Sequence, residues 1–273
     1  MSSVRVSEAG ARRLPAIVPG AFQRYRRLIL SVGSAVVVLS AWEFAGVRSE
    51  AVTNLISHPS EIARTAVRMA ADGELGHNAL VSATELVLGF IPAVVVGVAL
   101  GLGMAISRVM RQLLEPLMIG LYTTPYVTLI PLLIVWFGVG KGSKVAIVFL
   151  AAMFPIAINT LAAAGQVDQL LTRVVRSFGG RQIDVVRHVV VPSALPGIIT
   201  GMQLGIGRGL VGVIVGEMYV SIAGLGNVLR LYSSVARVTE IFVVVACFCV
   251  VGITSAMLLG WIEERVGQWR RGR

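Results

Sequence analysis

The amino-acid sequence predicts an all-α membrane protein with six transmembrane helices. Of its 273 residues, 56% are hydrophobic and only 14% are charged. The hydrophobic residues form long blocks, which a soluble protein could not hide from water. The basic residues lie in short segments between these blocks, as is typical of the loops of membrane proteins.

Six blocks are long enough to cross a bilayer, which takes about 20 apolar residues each. They cover residues 28–47, 86–107, 116–140, 145–167, 189–216 and 241–262. Glu43 interrupts the first block and Arg208 the fifth. We therefore expect six helices that each span the membrane once.

The distribution of Lys and Arg predicts the orientation of these spans. If both termini are cytoplasmic, 16 of the 24 Lys and Arg residues lie on the cytoplasmic side and 7 on the outer side, with Arg208 inside a span. Cytoplasmic loops carry the excess of basic residues in membrane proteins. Both termini are therefore predicted to lie in the cytoplasm.

The composition argues against several functions. The net charge of +10 is spread between apolar blocks, so we expect contact with anionic lipid headgroups and no nucleic-acid binding. Cys247 and Cys249 point to different sides of a helix. The three His have no cluster of Cys near them, so no metal site is expected. Residues 138–144 lack the second glycine of a phosphate-binding loop. We expect no catalytic residue and no cofactor in this chain.

Two segments outside the spans have helical patterns of their own. Residues 57–73 carry Ile62, Ala66 and Met69 at helical spacing between a proline and a glycine, which predicts a short amphipathic helix at the outer interface. The cytoplasmic loop 168–191 predicts two short helices separated by Gly179 and Gly180. The loop is apolar on one side and rich in Arg on the other, as suits a docking surface.

The cytoplasmic loop resembles the EAA loop of ABC import permeases, in which a glycine is followed after nine residues by I-x-L-P. Here nine residues follow Gly179, and then come Val189, Val190, Val191 and Pro192. The resemblance implies that the loop is a coupling helix that fits a groove on a cytoplasmic ATPase. The residues that it assigns to this contact are Arg173, Val174, Val175, Arg176, Phe178, Gly179, Gly180, Arg181 and Pro192.

The chain departs from the family pattern where that pattern has Glu-Ala-Ala, since it has Arg173, Val174 and Val175 there. In the family pattern the acid stands at the head of the coupling helix, where a carboxylate suits the helix dipole. Two interpretations of Arg173 stay open. It contacts only solvent or headgroups, or it faces an ATPase groove that has become acidic to match.

The resemblance covers residues 55–265. Within this range the chain is similar to the sulfonate, taurine and nitrate branch of the family. It rests on TTPYVTLIPLLIVWFGVGKGSK, FPIAINTLAA, LGIGRGLVGVIVGEM and AGLGN, which occur in this order. It implies a five-helix importer-permease core that moves a small anion, such as an alkanesulfonate, taurine, nitrate or bicarbonate, by alternating access. Pyrimidine vitamin precursors and aromatic acids remain alternative substrates.

The apolar blocks and their orientation predict a layout of the chain, and the resemblance implies a set of partners. Residues 1–27 form a basic cytoplasmic tail, 28–47 the first anchor, 48–81 a periplasmic segment, 82–264 the permease core with coupling loop 168–191, and 265–273 a second cytoplasmic tail. The expected partners in a bacterial inner membrane are a second copy of the chain, two P-loop ATPase subunits that bind ATP and Mg, a periplasmic or lipid-anchored substrate-binding protein, and membrane lipids.

The fifth block contains further candidate residues. Its glycines recur every four residues and form a stripe suited to close helix packing, or to the substrate path or the dimer seam. Arg208 is a charge inside a span, so it lies near an anionic substrate or forms an ion pair with Glu85 or Glu217. The residues predicted for the translocation path are Arg208, Glu217, Pro125 and Pro131, and those for helix packing are Gly197, Gly201, Gly205 and Gly209.

Two other classes of membrane protein fit the sequence less well than an importer does. A secondary transporter or channel would work without an ATPase and usually shows internal repeats or several intramembrane acids, which this sequence does not show. An intramembrane enzyme would need a catalytic set at membrane depth, yet no Asp lies in a span and the three His lie outside the spans.

Overall fold

The computed structural model describes residues 20–48 and 55–267, without the side chains of residues 20–28, 31, 266 and 267. The predicted cytoplasmic tails lie largely outside the described residues. The described helices are α1 (Gly20–Arg48), α2 (Pro59–Ala71), α3 (Glu74–Ile106), α4 (Arg108–Thr123), α5 (Ile130–Phe137), α6 (Lys141–Gly165), α7 (Gln169–Ser177), α8 (Gln182–Val185), α9 (Val191–Val220), α10 (Leu225–Ser234) and α11 (Val238–Gly267).

Helices long and apolar enough to span a membrane account for most of the described chain. Four such spans are α3, α6, the continuous stretch from α8 through α9, and α11, and the pair of α4 with the helical segment after it makes a fifth. The predicted first span, residues 28–47, lies within α1. The all-helical fold is therefore confirmed. It consists of four spanning helices, the bent pair and the partly described α1.

The predicted third span is wrong in shape. We expected one helix over residues 116–140, but α4 ends at Thr123 and the chain turns by 90° before a 3₁₀ turn, Tyr126–Leu129, that leads into α5. The cause is Pro125, which disfavours helical geometry at the residue before it. Thr124 is extended accordingly, with φ −72° and ψ 128°.

Pro131, the second proline of this segment, does not bend it. Pro131 lies in the first turn of α5, where the missing N–H of proline removes no helical hydrogen bond. The break in this span therefore belongs to Pro125.

Helix α6 is the centre of the bundle and lies between α3 and α9. Glycines on both outer helices face it so closely that a methyl group would collide. On α3, a Cβ on Gly89 would lie 2.6 Å from Val148 Cβ, and one on Gly101 would lie 2.5 Å from Thr160 Cβ. On α9, a Cβ on Gly205 would lie 2.9 Å from Ile156 Cγ1. Small residues thus let three backbones meet where no water drives helices together.

The predicted amphipathic helix is present as α2, and it connects α1 to the rest of the chain. The Trp42 indole N–H donates to the Ser57 carbonyl at 3.0 Å, and the Trp42 ring lies 5.6 Å from that of Phe242. The Glu43 carboxylate accepts from the backbone N–H and the hydroxyl of Ser60, at 3.0 and 2.7 Å. Glu43 therefore has partners within the protein at this end of α1.

Candidate functional site

The loop predicted to dock a partner is well ordered by its own hydrogen bonds. Asp168 caps α7 by accepting from the Leu170 N–H at 2.8 Å. Gly179 follows the helix with a φ of 80°, a conformation that favours glycine. The Gly180 N–H donates to the Val175 carbonyl at 3.0 Å, so the chain reverses just after α7.

The position of Arg173 corrects one expectation. Arg173 lies in the middle of α7, which begins at Gln169, and not at the head of that helix. The acidic residue at the N-terminus is Asp168, which already caps the free N–H groups there. The change from Glu to Arg in the motif therefore does not act through the helix terminus.

The apolar face of α7 points away from the bundle. Leu170, Val174 and Phe178 are spaced four residues apart and are all exposed, Phe178 by 87%. Ile183, in the following helix α8, is exposed as well. In the described part of the chain nothing covers these side chains, although apolar side chains of this size normally lie inside a protein. Val175 is half-buried instead, beneath Gly180.

The arginines of the loop also point outward. Arg173, Arg176 and Arg181 are exposed, whereas both acids of the loop are occupied by backbone groups. The Asp184 carboxylate accepts from the Arg181 backbone N–H at 2.7 Å, and Asp168 caps α7. The loop therefore presents an apolar stripe with a positive rim, a surface suited to an apolar groove with acidic edges.

Pro192 marks the point where the loop rejoins the membrane bundle. The residues before it, Val186–Val190, form one π-helical turn in which the Val191 N–H donates to the Val186 carbonyl. Such a widened turn relieves the clash that a proline ring makes with the preceding turn. The second helix of the loop thus continues into α9 without a break.

Arg208 lies on the exposed side of α9. Its guanidinium carbon is 5.6 Å from the centroid of the Tyr122 ring, which belongs to the last turn of α4. The predicted alternative, an ion pair with Glu85 or Glu217, is wrong because both carboxylates have other partners on the buried side of the bundle. Pro125 is exposed at the nearby bend.

Glu85 and Lys144 form an ion pair inside the bundle. Their side chains are 0% and 5% exposed, and Lys144 Nζ also donates to the Ser221 hydroxyl at 2.9 Å. The pair joins α3 to α6, and Ser221 extends it to the end of α9. Lys144 is one of the seven Lys and Arg residues that the predicted orientation puts on the outer side, between two apolar blocks.

Glu217 is fully buried and is bonded on both of its oxygens. It accepts from the Ser82 hydroxyl at 2.7 Å and from the Gly226 N–H at 2.6 Å. Ser82 in turn accepts from the Leu225 N–H at 2.9 Å. Glu217 therefore ties α9 to α3 and α10, and its place on the translocation path stays a prediction.

The four glycines predicted for packing all face α6 or its neighbours. A Cβ on Gly197 would collide with Ala163, one on Gly201 would lie 2.9 Å from Asn159 Cβ, and one on Gly209 would lie 3.4 Å from Leu86 Cδ1. Close packing against α6 and α3 therefore accounts for the glycine stripe, without a role in the substrate path or at the dimer seam.

The sequence also matches known proteins along most of its length. Residues 93–271 match the family model described as binding-protein-dependent transport system inner membrane component. A putative ABC transporter permease from Methanocaldococcus jannaschii is 30% identical over 259 residues, which cover 90% of this chain and 94% of that protein.

Two relatives have names that state what they transport. The taurine transport system permease protein of Escherichia coli is 25% identical, over 89% of this chain and 90% of the relative. A putative aliphatic sulfonates transport permease protein of Bacillus subtilis is 27% identical, over 86% of this chain and 85% of the relative.

Among solved structures, an inward-facing MetNI methionine ABC transporter has the same fold, with a TM-score of 0.59 and 18% identity, over 68% of this chain and 92% of that one.

Proposed function

Because the chain belongs to the family of binding-protein-dependent transport system inner membrane components, we propose that it imports a small sulfonate or a similar anion at the expense of ATP hydrolysed by a partner. The chain is a multi-pass membrane protein and the permease subunit of an ABC importer. The proposal adds to this the substrate class, the ATPase contact and the assembly.

The exposed apolar stripe of α7 is the observation that carries the ATPase contact. Leu170, Val174 and Phe178 face outward on a helix that is stably capped at both ends. A partner that covers them removes apolar surface from water, at about 25 cal/mol per Å². The partner is a cytoplasmic P-loop ATPase subunit, which binds the ATP and Mg itself.

The remaining partners follow from the spans of one chain. One chain supplies too few helices to enclose a path, so a second copy completes it around a two-fold axis. Two ATPase subunits then dock below, and a periplasmic or lipid-anchored binding protein delivers the substrate above. Both termini lie in the cytoplasm of a cell whose inner membrane holds the complex, as the Lys and Arg distribution predicts.

The mechanism moves groups of helices as rigid units. Helices α3, α6 and α9 are locked by glycine contacts on both sides of α6, whereas the bent pair α4–α5 is mostly exposed. ATP-driven closure of the ATPases draws the two α7 helices together, and the locked helices tilt with them, which exposes the path to the outside.

The substrate class rests on the taurine and aliphatic-sulfonate relatives, which match this chain nearly end to end. The test is ATP-dependent uptake by proteoliposomes that contain the complete transporter and its binding protein. Taurine, ethanesulfonate, nitrate, bicarbonate and an aromatic acid are offered in turn. Uptake of taurine or ethanesulfonate supports the proposal, and uptake of the aromatic acid alone overturns the sulfonate class.

A further inference from the structure

We propose that Arg208 and Tyr122 form the anion-binding site of the translocation path, which recognises the sulfonate or carboxylate group of the substrate. The proposal rests on the proposed function, since it names the residues that hold the anionic end of the solute. It assigns the contact to a basic side chain on α9 and a phenol ring at the end of α4.

The depth of Arg208 is the first argument. It precedes the last residue of α9, Val220, by twelve positions, which is about 18 Å along a helix. The residues one turn before and after it, Leu204 and Val211, are 52% and 46% exposed. A charge at this depth does not face lipid without a large cost, so this side of α9 faces a wet cavity or protein.

The distribution of buried acids is the second argument. Glu85 pairs with Lys144, and Glu217 is bonded to Ser82 and Gly226. Glu217 follows Arg208 by nine residues, so it projects from the opposite side of the helix. None of the ion pairs between described residues includes Arg208. Its charge is thus left for an anion that the described residues do not supply.

The aromatic ring beside the guanidinium supplies the third argument. The Tyr122 ring lies 5.6 Å from the Arg208 guanidinium carbon. A ring near the guanidinium orients it by cation–π attraction and leaves the N–H edge for a ligand. That edge matches the spacing of two oxygens in a sulfonate or a carboxylate.

The local backbone leaves room for such a ligand. Tyr122 and Tyr126 stand on either side of the bend at Thr124 and Pro125, where the span is broken by 90°. A Cβ built on Gly207 or Gly120 would find no atom within 4 Å. Broken helices of this kind line substrate paths in membrane proteins because irregular backbone needs a polar or wet surrounding.

The test uses the complete transporter with its binding protein in proteoliposomes, with taurine and ethanesulfonate as probes. The variants are Arg208→Gln, Arg208→Lys and Tyr122→Leu. Arg64→Gln is the matched control, because Arg64 is an exposed arginine on α2 outside the spans. Two rates are measured for each variant, namely sulfonate uptake and the ATPase rate stimulated by the loaded binding protein.

We expect Arg208→Gln to lower sulfonate uptake about tenfold or more, as for loss of a charge-assisted hydrogen bond, while stimulated ATPase activity persists. Arg208→Lys should keep part of the uptake because it keeps the charge, and Tyr122→Leu should have a smaller effect. Arg64→Gln should match the wild type. A purely structural role would lower uptake and ATPase activity together, and that result overturns the proposal.

The outcomes separate this site from the proposed function. If the wild type takes up sulfonates and Arg208→Gln does so equally well, the site is wrong and the importer proposal stands. If the wild type takes up neither probe, the substrate class fails first. If Arg208→Gln does not assemble, unchanged uptake in both Arg208→Lys and Tyr122→Leu overturns the proposal, and selective loss in either supports it.

Discussion

The ion pair between Lys144 and Glu85 links two helices in the interior of the bundle. Both side chains lie in the interior, and Lys144 reaches the end of α9 through Ser221. Removal of one partner from a buried pair leaves an uncompensated charge, which typically costs about 3–5 kcal/mol, whereas apolar replacement of both partners costs far less.

We therefore expect Lys144→Met to destabilise the complex strongly and to lower its melting temperature in detergent. The double variant Lys144→Met with Glu85→Leu should recover a large part of that loss. Lys141→Met is the control, because Lys141 is exposed three residues earlier and should change little. Equal melting temperatures for the Lys144 and Lys141 variants would show that the pair contributes nothing.

The residues around this pair also mark the limit of what the sequence predicts. Glu85, Glu217 and Arg208 stand out as charges in or next to apolar blocks, so the sequence draws attention to them. Their partners depend on which helices meet, and Lys144 lies at the edge of a block where a basic residue normally reaches the headgroups. Only the three-helix packing shows that it turns inward.

At the scale of helices, the glycine contacts on α6 should govern stability. A Cβ on Gly205 would lie 2.9 Å from Ile156 Cγ1 and 3.1 Å from the Ala152 carbonyl, whereas Gly207 two residues later has open space. Overpacking costs about 1–3 kcal/mol. Gly205→Ala should therefore lower the melting temperature, and Gly207→Ala should leave it unchanged or raise it slightly. Equal effects at both positions would contradict the packing account.

A second prediction at this scale concerns the positive rim of α7. Arg173 is exposed in the middle of that helix, so Arg173→Glu should weaken ATPase retention if the groove of the ATPase is acidic. A Lys in place of the facing acid should then restore it. A double-mutant cycle measures the coupling energy between the two positions, and a value of zero leaves Arg173 as a residue that contacts only solvent or headgroups.

The elements themselves were only partly predictable. Hydropathy locates the apolar blocks because a span must satisfy its own backbone hydrogen bonds, but it does not detect the 90° bend, which Pro125 alone indicates. The glycines of α9 are predictable from their four-residue spacing. Gly89, Ala93, Gly97 and Gly101 of α3 have the same spacing and face α6 from the other side, so the same pattern predicts close packing there.

For the whole molecule, the structure separates a locked core from an exposed coupling loop. The interior polar contacts of Glu217 and Lys144 join α3, α6, α9 and α10 at one end, and α7 lies exposed after α6. This arrangement fits the proposed docking of an ATPase subunit on α7, because helices locked together in this way can tilt as one unit.

The most direct test of the central claim compares Phe178→Asp with Phe178→Leu in the complete transporter. Phe178 is 87% exposed, so neither change should disturb the fold of the permease. We measure ATPase retention during purification and ATP-dependent uptake of the transported sulfonate. The account predicts that Phe178→Asp loses both and that Phe178→Leu, which keeps an apolar side chain, retains most of both. Normal retention and normal uptake with Phe178→Asp would contradict the claim that α7 couples this permease to its ATPase.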